Sequence, residues 1–127
     1  MSDNKKRAVM DPEDIKGRVN IVLHSQAFGR ENAKSGGELV QLVGLPPEKN
    51  NPSIVKAVQS MVIEDGYVIC SGGYGTYIPE SANDPEITLT RIRQRSRANK
   101  SLVRANAADA NHARWLTKGV RPGTVAL

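Results

Sequence analysis

The chain has 127 residues, 39% of them hydrophobic and 24% charged, which is enough to bury one ordinary domain core with little left for a second. Aromatic residues make up only 4%, so that core is expected to be aliphatic. The formal net charge is +5, and Cys70, as the sole cysteine, excludes an internal disulfide or a thiolate metal cluster.

Residues 1–10 read as a flexible polar tail. The opening stretch MSDNKKRAVMDPED lacks the apolar run of a signal peptide, and no apolar run in the chain is long enough to cross a bilayer. A cytoplasmic protein without a membrane partner is the expectation. Asp11-Pro12-Glu13-Asp14 then reads as a helix start: Asp11 caps, Pro12 suits the first helical position, and the acids favour the positive end of the helix dipole. Ile15, Val19, Val22 and Leu23 follow at helical spacing and predict a helix from about 12 to 27, anchored by Phe28.

Ser35 and Glu38 have capping-box spacing, and Leu39, Leu42 and Val43 give a short second helix that stops at Gly44. After LPPEKNN, Asn51-Pro52 repeats the start logic of Asp11-Pro12. Ile54, Val55, Val58, Met61 and Val62 fit a third helix from about 52 to 64, closed near Gly66. Tyr67 and Ile69 on one side and Tyr77 and Ile78 on the other are strand formers, and SGGYG between them allows reversal, so a β-hairpin is expected. Asp84-Pro85-Glu86 is a third start signal. A single basic helix is expected over 84–116, its Leu89, Ile92, Ser96, Asn99 and Val103 tracing a three-four repeat. Residues 117–127 read as a loose tail.

The order is helix, short helix, helix, hairpin, long helix. The fold class expected is mainly α with a small β-hairpin: a winged helix-turn-helix over 11–80, followed by a long basic C-terminal helix. The stretches GRENAKSGGELVQLVGL, NNPSIVKAVQSMVIEDGYVICSGGYGTYIP and RIRQRSRANKSLVRANA, spanning roughly 29 to 108, resemble a family of phage-encoded winged-helix proteins. That resemblance implies a GxxNA turn before the helix-turn-helix, a wing at GYVI…GYGTYIP, a basic helix after it, and DNA binding in replication or transcription control. Two features depart from it. The segment between the second and third helices is longer than a short turn, and it contains Pro46-Pro47.

Charge fits a polyanion partner. Residues 1–90 hold 9 Lys or Arg against 12 Asp or Glu, whereas residues 91–127 hold 9 against Asp109 alone. Lys49, Asn50, Asn51, Ser53, Lys56 and Gln59 are candidate contacts of the third helix, because Asn and Gln read adenine edges and Lys reads guanine or holds phosphate. Tyr74 is the candidate at the wing tip, which carries no Lys or Arg. Arg93, Arg97, Lys100 and Arg104 form a three-four stripe expected to hold phosphates, with Arg91 and Arg95 on another flank; a solvated basic face is the alternative.

No catalytic residue, cofactor or metal site is expected: HExxH, GxSxG, GxxxxGK[ST] and GxGxxG are all absent. Cys70 is expected to pack in a strand, and His24 and His112 to pack or face water. The function expected is non-catalytic, sequence-selective binding of double-stranded DNA, with a replication or transcription protein as a further partner. The competing expectation is a protein–protein adaptor on the same scaffold. The long helix also suggests a homodimer through residues 85–115, Asn99 fixing its register.

Overall fold

The computed structural model describes residues 10–96 and 102–119. Five α-helices and one small antiparallel sheet are described: α1 (Pro12–Gln26), α2 (Gly36–Val43), α3 (Pro52–Asp65), β1 (Cys70–Gly72), β2 (Gly75–Tyr77), α4 (Pro85–Ser96) and α5 (Leu102–Lys118). No described helix is long and apolar enough to cross a membrane.

Local chemistry sets the boundaries. Asp11 accepts the Glu13 amide at 3.2 Å and opens α1. Ser35 and Glu38 form the full capping box of α2, which Gly44 closes in the left-handed conformation. Gly66 closes α3 in the same way. Asn51, however, does not cap α3 with its side chain, and both it and Asn50 have positive φ. Glu48 takes that role: its carboxylate accepts the Ser53 amide at 3.2 Å and the Ser53 hydroxyl at 2.6 Å.

The core lies where α1, α2 and α3 converge. Val19, Leu23, Leu39 and Met61 are fully buried there, with Val43, Ile54, Val58 and Val62 beside them. Lys16 ties α1 to the end of α3 through Ser60, Glu64 and Asp65. The hairpin caps this core with Cys70, Tyr77 and Ile78, all buried.

Its register pairs Cys70 with Tyr77 and Gly72 with Gly75, leaving Gly73-Tyr74 as a two-residue turn. The strands are therefore shorter than the Tyr67–Ile78 arms expected. The outer edge of β2 is also occupied. Lys34 and Thr76 exchange backbone hydrogen bonds of 3.0 and 2.8 Å, and Ile78 bonds Ala27 and Gly29. Gly75 has φ +109, and a Cβ there would stand 2.8 Å from the Lys34 carbonyl, so this crossing needs glycine.

The single helix expected over 84–116 is corrected. α4 and α5 are separate and pack antiparallel, as Arg91 binds Asp109 and His112 while Arg95 binds Asn106 and Asp109. In one continuous helix Arg91 and Asp109 would stand about 27 Å apart, at 1.5 Å per residue. The physical reason is tertiary. Asp109 offers one carboxylate to two arginines, and Trp115, Asn111 and His112 find buried sites against the body. Leu89, Ile92 and Val103, through which a homodimer was expected, are exposed on α4 and α5, and Asn99 lies outside the described residues.

Candidate nucleic-acid interface

The apolar stripe of α3 faces inward, which turns the opposite side of that helix to solvent. Pro52, Val55, Lys56 and Ile63 are exposed there, and Gln59 is half exposed. Lys49 and Asn50 extend this surface at the N-terminal end of α3. Lys49 and Lys56 have no ion pair among the described residues.

Two expected contacts are instead engaged within the protein. Ser53 gives its hydroxyl and amide to Glu48. The Asn51 amide packs over Gly36 so closely that a Cβ on Gly36 would collide with it. The placement of Glu48 also sets the electrostatics, since its carboxylate occupies the positive end of α3 and accepts the Ser53 amide there.

Tyr74 stands at the turn, 57% exposed. Its cationic neighbour comes from elsewhere in the chain: Arg30 lies over the ring at 5.1 Å. Arg30 also pairs with Asp84 at 3.1 Å, and Asp84 accepts the buried Tyr77 hydroxyl at 2.8 Å and the Glu86 amide at 2.9 Å. Burial pushes the Asp84 carboxyl up, but the Glu86 amide, Tyr77 and Arg30 together hold it below its ordinary value. Burial and the Asp84 carboxylate both push the Tyr77 phenol up, so it stays protonated. Asp84 thereby joins the hairpin, the turn at Arg30 and the start of α4.

Of the basic residues expected to hold phosphates or flank them, Arg91, Arg93 and Arg95 are engaged within the fold. Arg93 donates to the Ser71 carbonyl at 2.8 Å, lies against Gly72 and sits 3.6 Å from Glu86. Thr90 accepts the Ser71 amide and returns a hydrogen bond to its carbonyl, so α4 grips β1 at one residue. Arg91 and Arg95 share Asp109. Burial pushes that carboxyl up, but hydrogen bonds from Arg91 and Arg95 hold it below its ordinary value. Arg104 is half-buried, and burial lowers its pKa. Arg97 and Lys100 lie outside the described residues. Of the four stripe residues, only Arg93 has a described partner.

Both histidines have partners. His24 Nδ1 meets the Asn20 carbonyl at 2.9 Å, and its ring packs 5.3 Å from that of Tyr67. His112 is buried with Nε2 facing the Ala82 carbonyl and Nδ1 facing the Arg91 guanidinium, both at 2.8 Å. The guanidinium can only donate, so Nδ1 accepts from it and Nε2 donates to the carbonyl. Cys70 is buried beneath the hairpin, and burial pushes its thiol up to about 12.

Counting charge along the described residues gives 12 Lys or Arg and 12 Asp or Glu. The excess lies in residues 1–9, 97–101 and 120–127, which hold six basic residues against Asp3 alone. Among the described residues no group of His, Cys, Asp and Glu is arranged to hold a metal. Comparison with protein-family models, with curated proteins and with solved structures gave no match.

Proposed function

We propose that this protein binds double-stranded DNA through α3, without chemistry of its own, in replication or transcription control of the kind its resemblance to phage-encoded winged-helix proteins suggests. The observation that carries this reading is the outer face of α3. Lys56 and Gln59 project from a helix whose other side is fixed in the core, with Lys49 and Asn50 at its entrance. A helix so held enters a major groove as a rigid unit, where lysine holds phosphate or guanine and glutamine reads adenine. The flanking hairpin, with residues 27–34 on its outer edge, supports a winged helix-turn-helix arrangement. In that arrangement Tyr74 and Arg30 form the wing tip. Titration of labelled duplex, single-stranded DNA and RNA tests the reading: duplex is expected to bind most tightly, and no binding to any of them at low salt sinks it.

A second reading has its own support. The described residues are charge-balanced, and the same outer face of α3 exposes Val55 and Ile63, which suit a protein surface better than a phosphate backbone. An adaptor that docks another protein on α3 would leave all three nucleic acids unbound.

A further inference from the structure

We propose that Lys34 supplies the wing with a phosphate contact, holding the DNA backbone in the groove between the hairpin and the start of α2. The inference rests on the DNA reading and assigns the course of one strand outside α3.

The hairpin has no Lys or Arg of its own, so a cation at the wing must come from another segment. The structure brings two, Arg30 and Lys34, each in a groove that Tyr74 borders. The groove at Arg30, of about 590 Å³, is also lined by Glu31, Glu80 and Asp84. Three carboxylates against one guanidinium, itself paired with Asp84, repel a phosphate there. The groove at Lys34, of about 430 Å³, runs from Lys34, Ser35 and Gly36 to Gly72, Gly73 and Tyr74. Its charged lining residues are Lys34 and Glu38. Glu38 is turned to the Ser35 amide, which it meets at 2.8 Å in the cap of α2. Lys34 forms no ion pair among the described residues. Arg93 adds positive charge where it lies against Gly72.

The lysine is also held in place. Its amide donates to the Thr76 carbonyl at 3.0 Å and its carbonyl accepts the Thr76 amide at 2.8 Å. Its backbone is therefore fixed to β2, and only a half-exposed side chain has to be ordered on binding. Gly72 and Gly73 offer a strand exposed backbone in place of side chains. The groove is continuous with the α3 surface, because the Asn51 side chain, from the N-cap of α3, packs on Gly36. Gly36 is two residues beyond Lys34, so their backbones lie within about 7 Å, at 3.3–3.6 Å per residue. Phosphates recur about every 3.4 Å of axis per strand, so a strand beside the start of α3 reaches the groove within about two steps.

The test is the salt dependence of binding to a mixed-sequence labelled duplex. Lys34→Gln is expected to flatten the plot of log K against log salt by about 0.9, the value of one phosphate contact. Between about 50 and 200 mM salt the wild type then loses about 3.5-fold more affinity than the variant. Lys34→Arg is expected to keep the wild-type slope. So is Lys118→Gln, which removes the same charge from the last turn of α5. Urea unfolding is expected to be unchanged in all of these variants, because the strand crossing uses only the backbone of Lys34. An unaltered slope in Lys34→Gln, or equal flattening in Lys118→Gln, overturns this inference and leaves the α3 interface standing. Absence of wild-type binding overturns the DNA reading, and this inference with it.

Discussion

Asp109→Asn is the substitution that most directly probes how the C-terminal hairpin is held. Asp109 binds Arg91 at 2.7 Å and also binds Arg95, and the three side chains are 35%, 33% and 46% exposed. Hydrogen bonds between charged groups contribute about 1.5–3 kcal/mol when shielded and about 0.2–1 kcal/mol when exposed. Two pairs at intermediate exposure therefore stabilise the hairpin by about 1.5 kcal/mol, and asparagine would also leave two neighbouring guanidinium groups without a counter-charge. With a urea m-value of about 1.5 kcal/mol/M, the unfolding midpoint should fall by about 1 M. The effect has a pH signature. Because the Asp109 carboxyl is held below its ordinary value, its contribution is complete above the unfolded value of about 3.9 and is lost as pH falls through the lower folded value. The difference between wild type and variant should thus be constant from about pH 5 to 7 and close on acidification. A midpoint that does not move at neutral pH would refute the hairpin, since in a continuous helix Asp109 could not reach Arg91.

Three further outcomes follow from other contacts. Glu48→Gln should cost about 1 kcal/mol in urea unfolding, through the weakened cap of α3, yet tighten duplex binding up to about fivefold by removing a negative charge from the helix end; weaker binding would show that Glu48 assists docking. Gly75→Ala should lower stability by about 1–3 kcal/mol in thermal melts, because φ +109 and the Lys34 carbonyl leave no place for a Cβ, and an unchanged melt would contradict the strand crossing described. The Cys70 thiol should resist a disulfide reagent at pH 8 until urea unfolds the protein, whereas fast labelling of the native state would contradict its burial.

The local punctuation of this fold was legible. Asp11-Pro12, Ser35 with Glu38, Gly44, Gly66 and Asp84-Pro85 all mark boundaries that the structure keeps, because caps and left-handed turns depend on neighbouring residues alone. Asn51 misled for a complementary reason: the cap of α3 comes from Glu48, five residues before Ser53, through a loop whose path the sequence does not reveal. The break between α4 and α5 was hidden because alanine-rich, arginine-rich sequence favours helix throughout. What divides it is the pairing of Arg91 and Arg95 with Asp109, a contact across 14 to 18 positions. The candidate interface was legible as a helix face but not as a charge balance. Arg93 looked like a phosphate ligand until Ser71 and Gly72 were found beneath it, and Arg30 gave no hint that it would cover Tyr74.

The proposed DNA contact depends on α3. The most direct measurement is duplex binding by anisotropy at fixed low salt, comparing wild type with Lys56→Glu plus Gln59→Ala, two changes on the solvent face that leave the buried stripe intact. The expected result is a loss of at least tenfold in duplex affinity, with preference for a selected site lost as well, since reversing one phosphate or base contact and deleting another removes about 1–3 kcal/mol each. Equal affinity and equal site preference in the two proteins, with unfolding unchanged, would show that DNA does not meet α3 and would contradict the proposed function at its centre.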